Sequence, residues 1–286
     1  MARVHYAWVV AGAAFATLVA AAAFRAAPGP LMVPLHEDAG WSIVTMSAAV
    51  SVNLVLYGLT APFAAALMER FGLRRVVAAG LLLIAAGAGL SVLATAAWQL
   101  VFTWGVLIGL GTGSMALVFA ATIANAWFVK RRGLVMGILT AGGAAGQLVF
   151  LPLVAYLAET ISWVVASLVI TAAALVAIPL AVALLRDRPA DLGLAPYGGD
   201  RVIPAVPATG NAAALAVGAL GRAVRTKAFW ALAGAFAICG ATTNGLIGIH
   251  FIPSAHDHGM ATTTAAGLLK VVRLFDIVGT VASGRL

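Results

Sequence analysis

Long stretches without a formal charge constrain this chain more than any other feature of its sequence. A helix needs about 20 predominantly apolar residues to cross a hydrocarbon core ~30 Å thick. In lipid, backbone polar groups are satisfied only within helices or closed barrels, and barrel strands alternate polar with apolar residues. The stretches here do not alternate, so they predict membrane-spanning helices. They cover residues 4–24, 39–68, 76–129, 133–158, 160–185 and 228–255.

The breaks between these stretches divide the chain into eight predicted spans, which is typical of an all-α polytopic membrane protein. The longest connection, residues 186–227, is rich in Arg, Asp, Pro and Gly and is predicted to include an interfacial segment. It separates a six-helix bundle at residues 1–185 from the first two helices of a second bundle at 228–286. The spans are predicted at about residues 5–27, 43–67, 75–95, 98–126, 133–156, 162–185, 228–253 and 262–284.

Composition and charge exclude several classes of protein. Hydrophobic residues make up 63% of the chain and charged residues 9%, against about 45–50% and roughly 25% in soluble domains. A soluble enzyme and a disordered chain are therefore excluded. The net charge is +8, but the cations are spread over short loops beside helix ends, which does not favour nucleic-acid binding. Most fall in loops on one side, so the positive-inside rule predicts a multi-pass protein of the plasma (inner) membrane with a cytoplasmic N-terminus.

The turn between the second and third predicted spans carries the most specific motif. It reads AALMERFGLRR over residues 65–75 and resembles the major facilitator superfamily signature G-x-x-x-D-R-x-G-R-R, with Ala65 in place of the Gly and Glu69 in place of the Asp. The resemblance implies a gating latch at this turn that favours one state of alternating access. The residues of this implied latch are Glu69, Arg70, Gly72, Arg74 and Arg75.

Four other segments narrow the resemblance to one branch of that superfamily. They look like the prokaryotic monocarboxylate-transporter and oxalate/formate-antiporter branch, and the resemblance covers essentially the whole chain. Members of the superfamily have two six-helix halves, so the spans here imply a C-terminally truncated chain with an incomplete second bundle. The four segments are Gly40-Trp41-Ser42, residues 127–133, residues 188–194 and Ala228-Phe229-Trp230.

Ionisable residues inside the last predicted span are the strongest candidates for a substrate site. Lys270, Arg273 and Asp276 follow one another at every third position, so Arg273 and Asp276 share a helix face near mid-bilayer and can pair. Charges at that depth normally face a bundle interior or an aqueous path. Arginine holds a carboxylate through two parallel hydrogen bonds, so Arg273 is the predicted anion-binding residue and Asp276 the predicted proton-coupling residue. A structural ion pair is the alternative.

Arg25 has two interpretations, which depend on where the first span ends. If the helix ends at Pro28, Arg25 extends to the outer interface; if it continues toward residue 35, Arg25 can face the cavity. Polar residues deep in the other spans either bond neighbouring helices or line the substrate path. His250 is a further candidate for proton coupling. The other candidate substrate-binding residues are Asn53, Tyr57, Gln147 and Asn244.

Nothing in the sequence predicts catalysis, a cofactor or a metal site. His256, Asp257 and His258 would need another distant ligand to hold a metal. The sequence therefore predicts secondary active transport of a small organic anion, of the monocarboxylate class, by proton symport or anion exchange. The predicted partners are that anion, the lipid bilayer and protons as coupling ion, while the oligomeric state is left open. The alternatives are efflux of amphiphilic drugs, or a non-transporting membrane sensor or inactive transporter fragment.

The predicted truncation has a direct test in the mass of the protein. If these residues are an excerpt of a longer transporter, the protein extracted from its native membrane will have an intact mass clearly above the 28.9 kDa of this chain. Further helices completing the second bundle would account for the difference. Intact-mass spectrometry measures it directly. A mass of 28.9 kDa would instead favour the fragment or sensor interpretation.

Overall fold

The computed structural model describes residues 5–202 and 212–283, and this part of the chain is almost entirely helical. Serine residues cap two of the long helices: the Ser42 hydroxyl accepts a hydrogen bond from Thr45 N, and the Ser162 hydroxyl accepts one from Val165 N, as is typical of N-cap serines. The α-helices are α1 (Tyr6–Arg25), α2 (Pro28–Glu37), α3 (Ile43–Phe71), α4 (Leu73–Ser91), α5 (Ala97–Leu100), α6 (Ile108–Ser114), α7 (Leu117–Trp127), α8 (Arg132–Thr160), α9 (Trp163–Leu184), α10 (Ala212–Ala223), α11 (Lys227–Cys239), α12 (Phe251–Asp257) and α13 (Thr262–Ser283).

Within the described residues, seven helical runs are long and apolar enough to cross a membrane. This confirms the predicted all-α, multi-span fold. The last predicted span also forms a helix, α13, but it carries Lys270, Arg273 and Asp276 and is not among the seven. The seven runs are Tyr6–Glu37, Ile43–Phe71, Leu73–Ser91, Ala97–Trp127, Arg132–Thr160, Trp163–Leu184 and Lys227–Asp257.

The first span is longer than the predicted 5–27, because its helix resumes after a short break. α1 ends at Arg25 and α2 begins at Pro28. Proline is tolerated in the first turn of a helix, where its missing N–H would have no intrahelical partner in any case. Together the two helices form the apolar run Tyr6–Glu37. Arg25 therefore lies just past the middle of a span, which supports the second interpretation of this residue.

Two of the spans contain π-helical segments, which we call π1 (Val101–Leu107) and π2 (Gly240–His250). π1 connects α5 to α6, and π2 connects α11 to α12. A π-helical turn is wider than an α-helical turn and is frequent at functional sites. Both segments contribute backbone groups to the polar region described below.

Glycine residues allow the closest approaches between helices. On the fourth predicted span, Gly109 and Gly113 face α3: a Cβ added at Gly109 would lie 3.1 Å from the Cα of Asn53, and one at Gly113 would lie 2.9 Å from the carbonyl oxygen of Tyr57. Small residues four positions apart let helix backbones approach in lipid, where packing rather than the hydrophobic effect drives association. α3 is therefore held closely against this span at the level of two predicted site residues.

The helices that follow residue 227 attach to the first six spans mainly through α8, along which α13 packs. Where the chain passes from α8 to α9, the carboxylate of Glu159 accepts a hydrogen bond from Thr263 N at 3.0 Å. Thr263 lies in the first turn of α13, whose amides have no intrahelical partners, so Glu159 caps α13 from a neighbouring helix. An apolar cluster supports this contact and consists of Ala26, Leu151, Ala155, Ile252, Ala265, Ala266 and Leu269.

Replacing Gly146 by Ala should push α1 and α8 apart, because the added Cβ would lie 2.5 Å from the carbonyl oxygen of Val19. Overpacking of this kind costs about 1–3 kcal/mol, so the melting temperature in detergent should fall by several degrees. Gly143→Ala is the matched control: it lies on the same helix and its Cβ would meet nothing within 4 Å. If the two variants melt alike, close approach at Gly146 does not hold α1 against α8.

Candidate functional site

Four of the polar residues predicted to lie at depth gather around one small cavity. The cavity has a volume of about 40 Å³ and is lined by residues of α1, α2, α3, α8 and π2. Arg25 comes from the end of α1, Asn53 and Tyr57 from one face of α3, and Gln147 from α8. The other residues that line it are Phe24, Pro28, Val50, Leu54, Gly248 and Ile249. We call it the substrate cavity, after the four predicted substrate-binding residues that line it.

Arg25 and Tyr57 form the polar wall of the substrate cavity. Nη1 of Arg25 donates a hydrogen bond to the Tyr57 hydroxyl at 3.1 Å. The guanidinium carbon lies 4.8 Å from the centre of the Tyr57 ring, which is within the range of a cation–π interaction. Both side chains are half-buried. The ring and its hydroxyl together fix the orientation of a cation at the edge of the cavity.

Asn53 and Gln147 are the buried polar residues of the cavity, each 8% exposed. The amide nitrogen of Asn53 donates a hydrogen bond to the carbonyl oxygen of Trp104 in π1 at 2.7 Å. Asn53 therefore bonds a neighbouring helix, one of the two roles predicted for it, and lines the cavity at the same time. A buried amide bonded in this way stabilises the packing of α3 against π1.

The backbone of π2 forms the opposite wall. A Cβ added at Gly29 in α2 would lie 3.4 Å from the carbonyl oxygens of both Gly248 and Ile249. Because Gly29 has no side chain, α2 can come this close to the π2 backbone. The first six spans and the span that follows them are therefore in direct contact beside the cavity.

The remaining predicted site residues lie elsewhere or outside the described part of the chain. The side chains of Arg273 and Asn244 are outside the described residues, although their helices, α13 and π2, are placed. Asp276 and His250 are exposed, and neither is among the described residues that line the cavity. Arg25 is the positively charged residue among the described residues that line the substrate cavity.

A second cavity lies at what we call the basic end of the bundle, where the α3–α4 and α7–α8 turns carry the cations of residues 70–75 and 130–132. This basic-end cavity has a volume of about 470 Å³ and opens between the α3–α4 turn and the segment that follows α9. All five residues of the predicted latch line it. Its other lining residues are Phe71, Arg186, Asp187, Arg188 and Asp191.

Asp187 ties the α3–α4 turn to the segment after α9. Its Oδ1 accepts a hydrogen bond from Arg74 N at 2.9 Å, at the start of α4, where the helix dipole favours negative charge. Gly72 has a φ of +89°, and a Cβ there would collide with the Asp187 carboxylate. A glycine is therefore required both by the turn and by the approach of Asp187. Sequence reasoning missed this residue, although an acid between Arg186 and Arg188 directly after a span is a visible signal.

The same segment has a second anchor at Tyr197. Tyr197 and Phe128 form a parallel β-bridge beside the α7–α8 turn. Tyr197 N donates a hydrogen bond to the carbonyl oxygen of Trp127 at 2.8 Å, and the Tyr197 carbonyl accepts one from Val129 N at 3.0 Å. We call residues 186–199 the strap. It connects both basic turns to each other across the end of the bundle.

The amino-acid sequence is similar to that of a known protein family and to several of its members. The sequence profile of the Major Facilitator Superfamily matches residues 13–286. Monocarboxylate transporter 11 of Mus musculus is 30% identical over 97% of this chain and 58% of its own length. Monocarboxylate transporter 13 of Bos taurus is 29% identical over 84% of this chain and 51% of its own length. The chain thus spans little more than half the length of these relatives.

Replacing Gly72 by Ala should detach Asp187 from α4. A residue with a side chain is strained at this backbone conformation by about 1–3 kcal/mol, and its Cβ would also displace the carboxylate. We expect a lower melting temperature and faster trypsin cleavage after Arg186. Gly193→Ala in the strap is the control, since it has a φ of +65° but its Cβ would meet nothing within 4 Å. Equal acceleration of cleavage in both variants would show that the Asp187 contact does not hold the strap.

Proposed function

The chain belongs to the Major Facilitator Superfamily, and from this premise we propose that it carries a small organic anion across the membrane by alternating access. A member of this family is a multi-pass transporter rather than an enzyme. The observation that carries the proposal is Arg25, a cation near the middle of a span and at the edge of the substrate cavity. Charges at such depth generally serve a substrate or ion path.

A carboxylate suits this cavity in its chemistry. The planar guanidinium of Arg25 can hold a carboxylate through two parallel hydrogen bonds, and the Tyr57 hydroxyl can rotate to donate a third. The positive charge of Arg25 at the cavity favours an anion over a cationic amphiphile. The names of the relatives, which are monocarboxylate transporters, support a monocarboxylate.

The second bundle supplies the other part of the proposed site. Arg273 and Asp276 lie on one face of α13. In this scheme, the substrate carboxylate competes with Asp276 for Arg273, and the displaced Asp276 takes up a proton, which couples transport to the proton gradient. His250 is the second candidate for proton coupling, and Asn244 on π2 is a further polar residue for the substrate. Anion exchange needs the two arginines but not the proton step.

The latch at the basic end is proposed to hold one of the alternating states. With the N-terminus in the cytoplasm of a plasma-membrane protein, the basic end faces the cytoplasm. The bundle at residues 1–185 and the helices from 228 onward then rock against each other around the substrate cavity, with residues 186–227 as their connection. Separation of α2 from π2 at Gly29 opens the cavity on the opposite side of the membrane.

Replacing Arg25 by Gln should weaken the uptake of a monocarboxylate. We expect the KM for radiolabelled lactate to rise at least about tenfold in proteoliposomes of the natively extracted protein, because hydrogen bonds to a charged group contribute about 1.5–3 kcal/mol. Arg25→Lys keeps the positive charge but loses the planar guanidinium group. Its KM for lactate should lie between that of the unchanged protein and that of Arg25→Gln. Arg222→Gln is the matched control, since it removes an exposed arginine of α10 that does not line the substrate cavity.

Each contrary result has a specific meaning. Unchanged lactate affinity in Arg25→Gln would remove Arg25 from the site, and unchanged affinity in Arg273→Gln would remove the second arginine. Binding of lactate without accumulation would favour the sensor alternative. Transport of a quaternary ammonium compound in place of lactate would favour amphiphile efflux.

A further inference from the structure

We propose that the basic-end cavity is a binding site for a phosphate group, carried either by the headgroup of an anionic phospholipid or by a soluble anion. The site is distinct from the substrate cavity and shares none of its lining residues. The proposal therefore does not depend on what the protein transports. It starts from the size of the cavity, about 470 Å³, and from the charges around it.

Positive charge exceeds negative charge around this cavity. Five arginines and three acidic residues line it. The arginines come from two separate connections, the α3–α4 turn and the strap, so they approach the cavity from both of the segments between which it opens. The charged lining residues are Arg70, Arg74, Arg75, Arg186, Arg188, Glu69, Asp187 and Asp191.

Two of the three acidic residues accept hydrogen bonds from backbone amides, and none of the described arginine side chains at the cavity is paired with them. Asp187 accepts a hydrogen bond from Arg74 N at 2.9 Å, and Asp191 accepts one from Arg188 N at 3.0 Å. In the described part of the chain, the guanidinium groups of Arg74 and Arg75 make no hydrogen bond or ion pair. Arginines beside an open cavity that outnumber its acidic residues, two of them with unbonded guanidinium groups, are available to bind an anion.

Phosphate is the anion that best matches this arrangement. Its tetrahedral group offers several oxygens to arginines that approach from different directions, whereas a carboxylate offers two in one plane. The α3–α4 turn joins two membrane-spanning helices, so it lies at the depth of the lipid headgroups, where basic pockets between helices bind anionic lipids. Phe71 of α3 lines the cavity and is 47% exposed, and Leu67, one turn earlier on the same helix, is 40% exposed. They provide an apolar surface for the acyl chains of a bound lipid.

The experiment has two arms that separate the sources of the phosphate group. In the first, native mass spectrometry of the detergent-solubilised protein compares retention of phosphatidylglycerol with that of phosphatidylcholine. In the second, the melting temperature is measured in inorganic phosphate and in chloride at equal ionic strength. Selective retention of phosphatidylglycerol alone indicates a lipid headgroup, and stabilisation by inorganic phosphate indicates a soluble anion. Either result supports the site, and no binding in both arms overturns it.

Variants decide whether the binding belongs to this cavity. The double variant Arg75→Gln/Arg188→Gln should weaken binding about tenfold or more, whereas Arg222→Gln/Arg225→Gln, which removes two exposed arginines outside the cavity, should bind normally. Asp187→Asn removes one of the negative charges that line the cavity, while its amide oxygen can still accept the Arg74 N–H, so it should tighten binding. Equal weakening in both double variants, or weaker binding in Asp187→Asn, would overturn the proposal.

Discussion

The hydrocarbon interior of a membrane offers no hydrogen-bond partners, and this constraint explains where the described polar side chains deep in the spans find theirs. The Thr112 hydroxyl bonds back to a carbonyl of its own helix, and Asn53 reaches across to the carbonyl of Trp104. Arg25 is half-buried against Tyr57 instead of facing lipid. The groups that hold the helices together and those suited to a substrate therefore lie in one region, because only the protein interior can satisfy either.

α3 links the two cavities. At mid-depth it carries Asn53 and Tyr57, and at its end it enters the turn that Asp187 holds against α4. Gly109 and Gly113 bring the neighbouring span directly against this helix at the level of Asn53 and Tyr57. Pro62 lies between this level and the turn, where a proline removes one backbone hydrogen bond and commonly kinks a helix.

The sequence predicts the helical fold and much of the substrate cavity because charge-free length and buried polar residues are both local signals. Arg25, with Asn53 and Tyr57, could be singled out in this way. The end of the first span could not be predicted from the sequence. Pro28 is compatible both with the end of a helix and with the first turn of a new one, and only the packing of the folded protein decides between them. Asp187 was missed because its role depends on Gly72, which lies in another connection and far away in the sequence. The side chain of Arg273 lies outside the described residues, so its role stays a prediction.

The strap also determines where the chain can be divided into two halves without breaking contacts within the first half. Its contacts through Asp187 and Tyr197 are all with the first six spans, so residues 186–199 belong mechanically to that half, although they follow its last helix. A split made directly after Leu185 would leave the first half without the carboxylate that caps α4. A split after Gly199 would keep the contacts of Asp187 and Tyr197 within the first half. It is therefore the better division point for fragment complementation or for exchanging halves with related proteins.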